Sequence, residues 1–210
     1  MFKRICAVIF CLAIFINICE AASNEKPRVA VMDLGARNSS EIKNETGAMA
    51  SEYLAKALWN TGRFTIIDWE NAEEEISAAN LPTAGIIPPS AARKIAELLN
   101  VDYLIYGNIN SVDSKDLTFE IAGNGGNFRS IKAALIIRVM NVKTGEILVV
   151  AKGEGVSKRS EIKSGAKNVY ITVGSKEVPF ICVRNAIYKS ADSAAEKIVA
   201  DFFNEPLTKK

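Results

Sequence analysis

The chain has 210 residues, 49% of them hydrophobic and 24% charged, with 13 glycines and 6 prolines; it can bury one sizeable core, is too short for several large domains, and is neither a disordered tail nor a fibre. Lys and Arg number 26 against 24 Asp and Glu, a formal charge of +2 that offers no broad electrostatic footprint for nucleic acid. Histidine is absent, which removes imidazole bases, Ser-His and Cys-His nucleophile pairs and the commonest metal ligand, and with them most hydrolase and metalloenzyme chemistry.

The first residues read as an address. Met1 to Arg4 is a positive start, and Ile5 to Ile18 is an apolar run broken only by Asn17. Cys19 and Ala21 are small at the two positions that determine cleavage, so a secretory signal over residues 1–21 is expected, cut between Ala21 and Ala22. The apolar run falls short of the roughly 20 residues of a membrane-spanning helix, which makes a retained anchor the weaker alternative. A bacterial lipoprotein carries a small residue directly before its modified cysteine, whereas Ile18 precedes Cys19 and Phe10 precedes Cys11. Cleavage leaves a net charge of +1 and Cys182 as the one remaining cysteine. Without an internal disulfide the fold must stand on its core, and Cys182, set among Phe180, Ile181 and Val183, reads as a buried structural thiol.

Arg28 to Leu34 is apolar without a helical stripe, as in a buried strand. Gly35 to Asn44 is a polar loop. From Glu45, apolar residues at Met49, Ala50, Tyr53, Leu54, Ala57 and Leu58 predict a helix that stops at Gly62. Phe64 to Asp68 is a second strand, and Trp69 to Ala79 a helix whose Glu70, Glu73, Glu74 and Glu75 suit the positive dipole end. Leu81 to Pro89 is a loop, Ser90 the expected cap of a helix ending at Asn100, and Asp102 to Ile109 a third strand. Alternating strands and helices over this half predict an α/β sheet. The second half changes to hairpins: Leu117, Phe119 and Ile121 alternate with polar residues, Gly123 to Gly126 is a turn, and Phe128 to Val142 runs back. Lys143-Thr144-Gly145 turns into Glu146 to Lys152, Lys158 to Lys167 is a charged loop, and Val169 to Val173 a short strand. Pro179 opens a final helix with the stripe Phe180, Val183, Ile187, Ala191, Ala194, Ile198 and Phe202, which places Ile187 on the sheet and Lys189 on the free side.

The motifs have bland explanations. A phosphate cradle needs glycines between a strand and a helix, and Gly123-Asn124-Gly125-Gly126 lies between two strands. Asp33 ends the first strand, where open α/β sheets bind ligands, and with Asp68 it frames the reading of the chain as a small-ligand binder or enzyme, but spacing assigns it no partner. Asn38 and Asn44 head Asn-x-Ser/Thr triplets, which arise often by chance. No catalytic, cofactor-binding or metal-binding residue is predicted, and no cofactor.

The segment Arg138-Val139-Met140-Asn141-Val142-Lys143-Thr144-Gly145-Glu146-Ile147-Leu148 resembles the hairpin signature of the curli production assembly/transport component family, the CsgG-like proteins, with Asn141, Val142, Thr144, Gly145 and Glu146 at its centre. Arg28 to Leu34, Ala55 to Asp68, Val101 to Asn108 and Val178 to Ile187 follow that family in order, and the likeness spans residues 28–203. It implies one CsgG-like α/β domain, a mixed sheet with helices packed on it and a hairpin-rich second half. It also implies a non-enzymatic bacterial envelope protein, exported to the periplasm or the outer membrane, that oligomerises or docks on outer-membrane assembly or secretion proteins. The alternative it implies is an oligomeric outer-membrane secretion channel for curli-like subunits. The chain departs from the channel pattern in its doubtful lipidation cysteine, in the segment Gly35 to Gly47, which lacks the aromatic residues of the channel's constriction, and in its hairpins. Leu117 to Ala122 offers six residues before the glycine turn, whereas a spanning strand needs roughly 9 to 11. Lys158, Arg159, Glu161 and Lys163 crowd the second arm, which suits water better than lipid.

Overall fold

The computed structural model describes residues 25–36, 44–121, 124–161, 170–173 and 176–204. The elements in chain order are β1 (Arg28–Val31), β2 (Gly35–Ala36), α1 (Asn44–Asn60), β3 (Thr65–Ile67), a 3₁₀ turn (Trp69–Ala72), α2 (Glu73–Ala78) and α3 (Pro89–Leu99). They continue through β4 (Tyr103–Ile121), β5 (Asn124–Asn141), β6 (Ile147–Glu161), β7 (Tyr170–Val173), β8 (Lys176–Pro179) and α4 (Phe180–Phe203). The main sheet runs β3-β1-β4-β5-β6, with β2 also on β4, and β7 pairs with β8. β1 is parallel to both its neighbours, whereas β4, β5 and β6 are antiparallel. The mixed α/β sheet anticipated from the order of elements is therefore present.

β1 is covered on both faces, which is why Val29 to Met32 reads as an unbroken apolar run. On one face Leu54 and Leu58 of α1 and Ile187 and Ile198 of α4 pack with Val29, Ile105, Leu135 and Ile137. On the other, Ile76 of α2 and Ile95 and Leu99 of α3 pack with Met32, Leu104, Tyr106 and Met140. The buried positions of α4 follow the anticipated three-and-four spacing, with Ile187 fully buried and the Cys182 thiol inside the same core. Asn80, Asn100 and Asn204 follow the ends of α2, α3 and α4 with φ of 51°, 50° and 52°, the left-handed geometry that asparagine tolerates best after glycine.

α4 lies directly on β6. A Cβ at Gly153 would collide with Ser190 O, and one at Gly155 with Ala186 O; Ala186, Ser190 and Ala194, four residues apart, present small side chains to this seam. Lys189 Nζ donates to Val156 O at 3.0 Å, and Lys197 Nζ donates to Lys152 O. Eight helical residues at about 1.5 Å each match four strand residues at about 3.3 Å each, so an antiparallel helix and strand carry both contacts without distortion. Lys189 thus has an exposed head but serves the outer edge of β6, and it is not on a free side of the helix as its place in the stripe suggested.

Other expectations need correction. α3 begins at Pro89 with Pro88 as its N-cap and no side-chain cap, one position before Ser90; proline at the first helical position loses no hydrogen bond and arrives with φ already set. Leu117 to Ile121 is the end of a 19-residue β4 and no separate short strand. Asn124 to Gly126 belong to β5 and pair with Ile121 to Phe119. Lys158 to Glu161 lie in β6, paired with Ser130 to Asn127. Residues 37–43, with Asn38, and the 162–167 part of the charged loop lie outside the described residues.

Candidate functional site

A cavity of about 380 Å³ opens at the carboxyl ends of β1 and β3, lined by Val31, Asp33, Ser51, Glu52, Asp68 and Trp69 among others. This is where a parallel segment of sheet exposes its strand ends, so the position agrees with the sequence argument for Asp33 and Asp68. The two carboxylates share the cavity, but each is occupied by the fold. The Ser51 hydroxyl donates to Asp33 Oδ1 at 2.9 Å, and Gly85 N donates to the Asp33 carbonyl at 3.0 Å. Asp68 Oδ1 accepts from Glu70 N at 3.1 Å and so caps the 3₁₀ turn. Glu52 and Glu70 make the lining acidic, and among the described residues it contains no lysine or arginine. A serine hydroxyl bonded to a carboxylate, with no stronger base in the lining, is not an activated nucleophile. Sequence reading missed Ser51, Glu52 and Trp69, although Ala48, Ser51 and Ala55 recur at the three-and-four spacing of one helical face.

The hairpin motif is a turn held by its own polar groups. Asn141 Oδ1 accepts from Lys143 N at 2.9 Å and Thr144 N at 3.2 Å. Gly145 N donates to Asn141 O at 2.8 Å, Asn141 N donates to Glu146 O at 2.9 Å, and Val142 N donates to Asp102 O at 3.0 Å. Thr144 Oγ1 accepts from Glu146 N at 3.2 Å. Gly145 has φ of 75°, and a Cβ there would strike the Arg93 guanidinium. Asparagine first and glycine fifth are thus what the backbone of this turn requires.

The third feature is the extension of β4, β5 and β6 beyond the body. Val112 and Ile131 are the outermost core members on β4 and β5, and β4 runs nine residues further, to Ile121. That reaches the lower limit of a membrane-spanning strand, so length no longer argues against spanning. Chemistry does. On the α4 side, Asp116 and Arg129 are joined at 2.8 Å, and the Ser114 hydroxyl is buried without a partner. The opposite side carries Asp113, Lys115, Ser130, Lys132 and Lys158 in adjacent register. Among the described residues no helix is long and apolar enough to cross a membrane, a criterion that does not bear on strands.

A mixed sheet covered unequally by helices and prolonged into a three-stranded arm defines a scaffold with extended surfaces. The chain belongs to the curli production assembly/transport component CsgG family, whose profile matches residues 15–209, and is an envelope protein of the CsgG type. Among solved structures it is similar to the LpoB C-terminal domain from Escherichia coli, at 22% identity over 64% of this chain and 86% of that one, with a TM-score of 0.42. It is similar also to lipoprotein GNA1162 from Neisseria meningitidis, at 13% identity over 67% of this chain and 88% of that one, with a TM-score of 0.44. A PelC dodecamer from Paraburkholderia phytofirmans aligns at 13% identity over 84% of this chain and 88% of that one, with a TM-score of 0.36. No curated protein matches the chain. The residues around the proposed cleavage site, Ala21 and Ala22, lie outside the described residues.

Proposed function

We propose that this chain is an exported, non-enzymatic protein of the bacterial envelope that works in several copies at the outer membrane, through its surfaces and without a chemical step. Residues 1–21 act as a signal peptide removed between Ala21 and Ala22, and residues 28–203 form the CsgG-like domain; the mass of the mature amino terminus tests the cut. The observation that carries the reading is the arm, which has the length to reach a neighbour or a membrane surface yet bears charge on both faces, with Asp116 and Arg129 on one and Lys115, Lys132 and Lys158 on the other. A Lys or Arg on the lipid face of a barrel costs about 2–4 kcal/mol at the bilayer midplane. The same residues in water cost nothing comparable. Cells expressing the full chain should therefore release it from membranes in carbonate or high salt without detergent.

The rival reading is a secretion channel in which each copy contributes strands to a shared barrel, and the 19-residue β4 with the 18-residue β5 favours it. Ring closure leaves no unpaired backbone in lipid, which removes the edge problem but not the cost of the charges. Retention in the carbonate pellet, together with conductance on reconstitution into bilayers, would establish the channel in place of the surface-acting protein.

A further inference from the structure

The helices leave one part of the sheet uncovered. On the face where α2 and α3 sit, they cover Met32, Leu104, Tyr106 and Met140 but not the corresponding side of β5 and β6. The register sets Tyr106, Arg138 and Val150 in one row across β4, β5 and β6, then Asn108, Ile136 and Lys152, then Lys132 beside Val156 and Ser130 beside Lys158. Val150 is 60% exposed and Leu148 48%. Arg138 Nη1 and both side-chain polar atoms of Asn108 are buried without a hydrogen-bond partner. Those atoms lie inside the protein, Asn108 at 2% exposure, and take no part in the strip; an arginine beside exposed aliphatic side chains is the usual composition of a docking surface. Glu154 is already held between Lys132 and Lys152, at 2.9 Å and 2.6 Å. With Lys115 and Asp113 of β4 in the same rows, the five cations Lys115, Lys132, Arg138, Lys152 and Lys158 outweigh the two carboxylates Asp113 and Glu154 of this face.

The opposite sign lies at the opposite edge. β3 is the far strand of the sheet, and the chain leaving it carries Asp68, Glu70, Glu73, Glu74 and Glu75, all exposed. The ion pairs of Glu154 and of Asp116 with Arg129 involve none of them. Both patches belong to the face that bears α2 and α3, so a neighbour displaced along the sheet would bring its acidic turn and α2 over the bare strip. Its helical layer would then continue the first copy's. A two-fold pairing of strip on strip would set cation against cation, and is disfavoured.

We propose that copies of this chain associate head to tail, with the acidic segment Asp68–Glu75 of one copy seated on the Arg138, Val150, Lys152 and Lys158 strip of the next. This rests on the multi-copy reading given above and names its surfaces. Non-identical patches at opposite edges make a heterologous contact, the kind that generates rings when the rotation closes.

Sedimentation velocity of the full chain, in 50 mM and in 500 mM NaCl, tests it with two sets of exposed substitutions that leave both cores untouched. Glu73→Lys with Glu74→Lys reverses the acidic side, and Lys152→Glu with Lys158→Glu reverses the strip. Each pair should weaken self-association at least tenfold, and the four substitutions in one chain should restore it to within about threefold. High salt should weaken the wild type. An equimolar mixture of the two defective variants should regain assembly by alternation, since the unaltered segment of one meets the unaltered strip of the other and the two reversed surfaces also match in sign. A wild type that assembles while both defective variants assemble equally well overturns these surfaces and leaves the multi-copy reading standing. A wild type that stays monomeric at every concentration defeats that reading itself. If Lys152→Glu with Lys158→Glu abolishes binding to anionic phospholipid vesicles but leaves assembly unchanged, the strip serves a lipid surface and the proposal is wrong.

Discussion

β4, β5 and β6 each have a near half and a far half, joined in one continuous ladder yet built on different rules. In the near half, Ile137, Val139 and Ala151 are buried under α4, and Gly153 and Gly155 let the helix rest on the strand. In the far half, beyond Val112 and Ile131, the strands keep their pairing while charge appears on both faces, Asp116 and Arg129 on one and Lys115 and Lys158 on the other. Backbone hydrogen bonding is the same throughout, so the contrast isolates what side-chain burial contributes: it sets stability in the near half and leaves the far half available for contact.

The contrast is most sharply tested at Ile187. Ile187→Asp places an unpaired charge in the core and should cost about 4 kcal/mol or more, enough to prevent folding. Arg184→Asp, on the exposed side of the same helix and near its amino terminus, should stay within about 1 kcal/mol of wild type. Equal urea midpoints for the two would mean that α4 does not cover the sheet as described. Gly155→Val comes next, at about 3 kcal/mol, because the new side chain would run into the backbone of α4 at Ala186 and Ser190, which cannot swing aside. In the far half Lys158→Thr should move the midpoint by less than about 0.5 kcal/mol, and a large loss there would show that the arm is packed on something.

The smallest effect concerns Glu154, whose carboxyl is held down to about 2 by hydrogen bonds from Lys152 and Lys132. The native value lies below the ordinary 4.5, so its contribution is complete above that pH and is lost as pH falls through about 2. The carboxyl lies at the surface, and salt should screen the effect. In Lys152→Met the NMR titration midpoint should rise toward the ordinary value; an unchanged midpoint would assign the shift elsewhere.

Much of this architecture was legible in the sequence wherever burial writes a period. The stripe of α4, the apolar run of β1, the positions of α1 and β3, and the Asn-x-x-Thr-Gly turn all follow from spacing and backbone chemistry, and the ordered resemblances led to the family. The far half was misread because a run of charge and a cluster of glycines are turn signals that strand pairing overrode: Lys158 to Glu161 looked like a loop, and Leu117 to Ile121 looked as if it ended at the glycines. Glycines caused the converse error. Gly153 and Gly155 give no signal of strand or turn until α4 is known to lie on them, and the reach of Lys189 to Val156 O depends on the same contact. At the cavity, the two aspartates could be placed at strand ends from sequence, but Ser51 on Asp33 and the capping role of Asp68 required the approach of α1 and the 3₁₀ turn.

The central claim is that this chain acts through its surfaces as an assembly of copies, outside the lipid. The most direct measurement is the native mass of the protein released from cell envelopes by carbonate alone, taken without detergent. The account predicts a discrete species of several copies in the released fraction. Monomer in that fraction, or protein that leaves the membrane only with detergent, would contradict it.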